Sequence, residues 1–210
     1  MSIAIVKRVP YRSSTRSGVY TPETLRQIGS QVGAIASRYS SLESHKRAIE
    51  RQLALIAAQI HEQDVLLVPG TVFLLLEMRG SGGMSAQLEQ IARILHEEGY
   101  WKPRARVQNY HRQDVYHLGK SAQRLFDDYA ALVQPVERLY ARLGYITARR
   151  QMQPDTTLQG IFECLAAAPD VALKGEVDAI VELLERANRH NWLWKLCDRL
   201  ARGPAISSRF

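Results

Sequence analysis

Apolar side chains recur at helical spacing along most of this chain, and this periodicity constrains the fold more than any other feature. The first such stretch begins at Thr21 and Pro22, a capping hydroxyl followed by proline at the first helical position. Its apolar positions are Leu25, Ile28, Val32, Ile35 and Tyr39. Segments with the alternating apolar and polar pattern of a half-buried strand are scarce. We therefore expect an all-α fold, a multi-helix bundle.

Other segments with the same periodicity predict the remaining helices. They cover residues 42–63, 85–99, 121–144, 155–167, 176–187 and 191–201. Ser40 and Glu43 have the spacing of a capping box, so residues 20–65 form either two long helices or one bent helix. The segment from Val72 to Met78 is apolar nearly all round, and we expect it at the centre of the core.

Positive charge is concentrated in two parts of the chain, whose formal net charge is +7. Residues 1–20 contain four basic side chains and no acidic one, whereas residues 100–124 contain six basic side chains, one acidic side chain and four aromatic rings. The basic side chains are Lys7, Arg8, Arg12 and Arg16 in the first part and Lys102, Arg104, Arg106, Arg112, Lys120 and Arg124 in the second. Concentrated positive charge attracts phosphates, which points to nucleic acid or to an acidic protein face.

The second basic part overlaps a recognisable spacing of apolar residues. Ile91-Ala92-x2-Leu95-x3-Gly99 is followed by Tyr110-x4-Val115-x2-Leu118. Over residues 85–120 this pattern resembles helix-turn-helix modules, particularly the small DNA-binding module of large serine recombinases. The sequence departs from that pattern at Tyr110, where the module usually has tryptophan.

The resemblance implies that residues 114–124 form a helix that faces a DNA groove. The side chains implied to contact bases or phosphates are Gln113, Tyr116, His117 and Lys120. Those implied to grip the backbone from the connecting loop are Lys102, Arg104, Arg106 and Arg112, with Arg124 on the same surface. The basic arm over residues 1–20 is expected to track a groove or an RNA strand; a disordered tail, or an extension that docks onto a neighbouring subunit, is the alternative.

These observations lead to a domain organisation and to three hypotheses about function. We expect a partly disordered basic arm over residues 1–20, a helical domain over 21–150 that contains the helix-turn-helix-like segment 85–124, and a C-terminal helical bundle over 151–210.

The leading hypothesis is a non-enzymatic nucleic-acid-binding accessory or regulatory protein, with DNA favoured over RNA. The alternative is a helical subunit of a larger assembly, which could be a nucleoprotein, with helices 21–63 and 190–202 as protein-binding surfaces. An enzyme whose site matches no known motif is the third hypothesis.

Sequence motifs of common catalytic and cofactor sites are missing. None of GxSxG, GxxxxGK(S/T), GxGxxG, CxxC or HExxH occurs, so we expect no enzyme, no cofactor and no metal site.

Cys164 and Cys197 each lie in an apolar helical pattern and are expected to be buried thiols in a reducing compartment. We see no signal-peptide pattern, and Pro69 and Gly70 interrupt the longest apolar run, so we expect a cytoplasmic protein without a membrane span.

Overall fold

The computed structural model describes residues 20–60, 68–102, 110–153 and 155–201, with side chains up to residue 187. Six α-helices account for most of these residues. They are α1 (Pro22–Gln59), α2 (Pro69–Arg79), α3 (Ser85–Glu97), α4 (Arg112–Arg149), α5 (Leu158–Ala167) and α6 (Lys174–Ala201). A single 3-10 turn, Val171–Leu173, directly precedes α6. No β-strand occurs in the described ranges, so the all-α prediction is confirmed.

The described chain forms two compact units. We call residues 38–133 the central unit and residues 20–37 together with 134–201 the terminal unit. Helix α1 passes from the terminal to the central unit after Ser37, and α4 passes back after Val133. The domain boundaries at residues 20 and 150 that composition suggested do not coincide with these units and stay a prediction.

The core of the central unit is built by apolar residues from α1, α2, α3 and α4. In α3, the buried positions Leu88, Ile91, Ala92 and Leu95 follow the spacing of one helix face. Fully buried large side chains from the other three helices are Leu42, Ile49, Leu53, Ile56, Phe73, Leu76 and Leu118. Burying one such side chain contributes about 1.5–3 kcal/mol relative to leaving it exposed. Packing along these stripes therefore holds the four helices together.

The terminal unit has its own core, formed by the first part of α1, the last part of α4, and α5 and α6. Its most buried residues include Ile28, Val32, Ile146, Phe162, Ile180 and Leu184. Helix α1 approaches α5 very closely at Gly29, where a Cβ atom would lie 2.7 Å from the Cβ of Phe162. Thr157 begins α5 as its N-cap, because its side chain accepts a hydrogen bond of 3.1 Å from the backbone of Gly160.

Helices α1, α6 and α2 differ from the sequence predictions in their continuity or in their burial. Helix α1 is unbroken at Ser40 and Ser41, so one helix is present there rather than two. Helix α6 is also unbroken, whereas the sequence predicted two helices separated at residues 188–190. Those residues are helix-neutral and include neither glycine nor proline, so nothing in them forces a break. Helix α2 is not buried all round, since Leu74 is 56% and Met78 72% exposed.

Candidate functional site

The structure describes only part of the expected binding surface. Lys7, Arg8, Arg12, Arg16, Arg104 and Arg106 lie outside the described residues. The others are Lys102, which follows α3, and Arg112, Gln113, Tyr116, His117, Lys120 and Arg124, which all belong to α4. Every one of these seven side chains is exposed. The described candidates thus fall mainly on one helix of the central unit.

The start of α4 presents a continuous polar surface, which we call the α4 surface and define as Arg112, Gln113, Tyr116, His117 and Lys120. A helix repeats after about 3.6 residues, so these positions share one side of its first turns. The opposite side is apolar and enters the central core through Val115, Leu118 and Ala122, all of which are buried. Burial of that apolar stripe is therefore what turns the basic and aromatic side chains toward solvent.

Contacts within the α4 surface leave its positive charge uncompensated. The Lys120 ammonium lies 4.5 Å from the centre of the Tyr116 ring, a cation–π contact worth about 0.5–1 kcal/mol at an exposed site. Neither Arg112 nor Lys120 forms an ion pair with any described residue. The nearest acid in sequence, Asp114, accepts a hydrogen bond of 3.2 Å from the backbone of His111. Asp114 thus supports the first turn of the helix.

Sequence reasoning missed a polar cluster in the central unit, centred on Glu98 just after α3. Its side chain is only 11% exposed and pairs with Arg38 and with His45, whose Nδ1 lies 3.0 Å from the carboxylate. The Ser41 hydroxyl donates a hydrogen bond of 2.7 Å to the same carboxylate. Burial alone would raise the pKa of Glu98, but the Ser41 hydrogen bond and the Arg38 charge outweigh it and hold that pKa below its usual value.

Tyr100 extends this cluster to α4. Its hydroxyl donates a hydrogen bond to Asp128 and accepts one of 3.0 Å from Arg38. Burial, followed by the hydrogen bond to Asp128, raises the pKa of Tyr100, so the phenol stays protonated. The cluster therefore ties the residues that leave α3 to both α1 and α4. Its one sequence signal is the helical spacing of Arg38, Ser41 and His45 along α1.

Ser41, His45 and Glu98 do not form a nucleophile with its base. The Ser41 hydroxyl donates to Glu98, whose lowered pKa makes it a weak base, and its longer contact of 3.4 Å is to His45 Nδ1, the nitrogen that faces the same carboxylate at 3.0 Å. In a catalytic triad the serine must instead lie within hydrogen-bond reach of a histidine nitrogen free to accept its proton. We therefore interpret the cluster as a structural link between helices.

The connection between α3 and α4 is longer than the turn of a helix-turn-helix. The apolar positions Ile91, Ala92, Leu95, Val115 and Leu118 all join one core. Residues 98–111 separate the two helices, whereas the turn of a helix-turn-helix has about three or four residues. The resemblance stays a prediction.

The fold and the α4 surface define the class of molecule: an all-α protein of two compact units with an exposed basic and aromatic helix face. No protein-family model, no curated protein and no solved structure matches the chain.

Other features of the described residues bear on the remaining predictions. No group of three or more His, Cys, Asp or Glu side chains within them is placed to hold a metal ion. None of the described helices is both long and apolar enough to cross a membrane. The prediction that Cys164 is buried is wrong: this free thiol is exposed, because α5 turns its neighbours Ile161, Phe162 and Leu165 inward. The Cys197 side chain lies outside the described residues.

Proposed function

We propose that the protein is a non-enzymatic nucleic-acid-binding accessory or regulatory protein and that the α4 surface contacts the nucleic acid. The observation that carries this proposal is the exposure of Arg112 and Lys120 on one helix face, each without an ion pair among the described residues. DNA is favoured over RNA on the helix-turn-helix resemblance alone. The proposed setting is the cytoplasm, on the expectation that both cysteines are thiols in a reducing compartment.

The geometry of α4 suits a phosphate backbone. With a rise of about 1.5 Å per residue, the Cα atoms of Arg112 and Lys120 are about 12 Å apart along the helix axis. One DNA strand carries a phosphate about every 3.4 Å along its axis, so both cations can reach phosphates of the same strand. Tyr116 lies between them, and its exposed ring and hydroxyl can contact a base or a sugar.

Gln113 and His117 occupy the same face one turn apart and have the side chains suited to base edges. Glutamine can donate and accept hydrogen bonds in pairs, which is how it reads adenine in the major groove. Contacts to phosphates contribute affinity without sequence preference, whereas contacts to base edges contribute preference. The proposal therefore assigns affinity to Arg112 and Lys120 and sequence preference to Gln113 and His117.

The test is a binding measurement by fluorescence anisotropy with a labelled DNA duplex, its single strands and the matching RNA. In the Arg112→Ala/Lys120→Ala variant we expect the dissociation constant for the preferred probe to rise about 10- to 100-fold, since charge-assisted contacts are lost. The slope of log affinity against log salt on duplex DNA should become shallower by about 2, because each phosphate contact adds about 0.9.

The matched control is Arg51→Ala/Arg93→Ala. It removes the same charge from exposed positions of the central unit outside the α4 surface. We expect the dissociation constant of the control to stay within about threefold of the parent, because only the long-range attraction is reduced. Equal losses in both variants would show a general charge effect and would contradict the proposed site. A parent protein that binds none of the probes at low salt would contradict the function itself.

A second candidate function is supported by α2. Leu74 and Met78 lie one helical turn apart and are 56% and 72% exposed. Contiguous exposed apolar side chains mark protein–protein interaction sites when they are part of a large patch. They favour a helical subunit of a larger assembly, which would copurify with a polypeptide and lose that partner in a Leu74→Ser/Met78→Ser variant.

A further inference from the structure

A surface groove lies between α4 and α6 within the terminal unit. Its volume is about 600 Å³, and it is lined by Arg138, Ala141, Arg142, Tyr145, Glu176, Ala179, Glu182, Leu183 and Arg186. The small side chains of Ala141 and Ala179 keep it open, and nothing in the described part of the chain covers it. No step of the proposed nucleic-acid binding uses this groove.

The two walls of the groove carry opposite charges. The α4 wall presents Arg138 and Arg142 and no acidic side chain. The α6 wall presents Glu176 and Glu182, together with Arg186, which bonds to Glu182 at 3.2 Å. One ion pair already joins the walls, since Arg142 Nη1 lies 2.9 Å from Glu176 Oε2.

Two lining charges are left without a partner on the opposite wall. Arg138 forms no ion pair with any described residue. Glu182 pairs only with Arg186 of its own helix, and both of these side chains are more than half exposed. An ion pair of this exposure contributes little, on the order of 0.3–0.5 kcal/mol within one helix. The α4 wall therefore offers a free cation and the α6 wall a weakly held anion.

We propose that this groove is the interface of a symmetric dimer, in which a second copy of the chain lies against it. A two-fold axis brings the same surface of both copies together. The α4 wall of each copy then lies against the α6 wall of the other, so every contact between the two walls occurs twice. Arg138 of each copy then faces Glu182 of the other, and the charges of the groove are complementary to themselves. A nucleic acid fits less well, because its phosphates would meet Glu176 and Glu182.

Tyr145 supplies the apolar contact that such an interface needs. It is 49% exposed at the groove wall, and tyrosine is enriched among the residues that dominate interface energies. Arg149 bonds to the Tyr145 hydroxyl at 3.3 Å and restricts the ring. The Tyr145 ring, Leu183, Ala141 and Ala179 together form an apolar surface between the charged side chains of the groove. An apolar centre with a charged rim is the arrangement of a protein-binding surface.

The experiment is a charge swap read by sedimentation velocity of the full chain over a range of micromolar concentrations. We expect the parent to form dimers and either Arg138→Glu or Glu182→Arg alone to raise the dimer dissociation constant about 30-fold, because each change places like charges together twice. An equimolar mixture of the two variants should form a heterodimer with nearly the parent's dissociation constant. In that heterodimer one contact is restored with reversed signs and the other is the native one.

The matched control is Arg93→Glu, which reverses an exposed charge on α3 in the central unit and should leave the dimer unchanged. Recovery of dimers in the mixture would support the proposal, because a folding defect in either variant could not be repaired by the other. A parent that stays monomeric at every concentration would overturn it. Unchanged dimers in both single variants would also overturn it, as would a loss of oligonucleotide binding in Arg138→Glu without any change in oligomeric state.

Discussion

The close contact between Gly29 and Phe162 predicts that alanine at two glycines of the same helix will change stability by different amounts. Both Gly29 and Gly33 lie in α1, one turn apart. A Cβ atom on Gly29 would lie 2.7 Å from Phe162 Cβ and 2.9 Å from its Cγ, whereas one on Gly33 would meet nothing within 4 Å. Carbon atoms in good contact are about 3.5–4.0 Å apart. Gly29→Ala therefore forces a displacement of about 1 Å, and Gly33→Ala forces none.

The magnitude follows from two opposing contributions to the free energy of unfolding. Alanine is favoured over glycine inside a helix by about 0.8–1 kcal/mol, and this gain is common to both variants. Overpacking of a tight core lowers stability by about 1–3 kcal/mol, and only Gly29→Ala has this penalty, because Phe162 is 1% exposed and enclosed. We therefore expect Gly33→Ala to raise stability by about 1 kcal/mol and Gly29→Ala to lie about 1–3 kcal/mol below it.

Urea denaturation followed by circular dichroism measures both differences, with the slope m checked for constancy. Replacing Phe162 by alanine removes its Cγ and Cδ2, two of the three atoms that the new methyl group would meet, so Gly29→Ala should be less harmful in the Phe162→Ala background. The double-mutant cycle should then give a coupling energy of about 1 kcal/mol or more. Equal stability of Gly29→Ala and Gly33→Ala would show that α1 and α5 are not in the contact described, and the reasoning would fail.

Two further predictions concern the N-cap of α5 and the acid sensitivity of the polar cluster. Thr157→Ala should lower the free energy of unfolding by about 1 kcal/mol, measured by urea denaturation, because the backbone amide of Gly160 loses its acceptor. Thr157→Ser keeps a hydroxyl acceptor and should retain most of the parent's stability. Glu98 has a pKa below the ordinary 4.5, so its contribution to stability is present above that value and is lost as pH falls through the folded-state pKa. Stability of Glu98→Gln should therefore vary less between neutral and acid pH than that of the parent, and parallel pH profiles would contradict the pairing with Arg38 and Ser41.

Local patterns in the sequence were sufficient for the fold class and for the α4 surface. The apolar spacing of Val115 and Leu118 already places Arg112, Tyr116 and Lys120 on the other side of the same helix. The structure confirms the helical class through this same periodicity. Which face of α3 is apolar and which face of α4 is polar depends only on residues within three turns of each other, and reasoning from helical periodicity captures such relationships.

Contacts between distant residues could not be predicted in this way. Glu98 meets Arg38 and Ser41, which lie in α1, about 60 residues earlier in the sequence. Which carboxylate is buried depends on how the helices pack, and no local pattern contains that information. The exposure of Leu74 and Met78 was missed for the same reason, since an apolar helix can be covered on one side only.

The α4 surface is itself positioned by contacts between residues that are distant in the sequence. Gly119 is the residue before Lys120, and a Cβ atom there would lie 2.7 Å from Phe73 Cβ, so α2 packs directly on the α4 backbone. Tyr100, which follows α3, donates a hydrogen bond to Asp128, further along α4. Helix α4 is thus held at Gly119 by a close backbone approach and at Asp128 by the polar cluster. A helix fixed in this way keeps its exposed cations at a set spacing, so the proposed binding of a phosphate backbone would need less ordering of the protein.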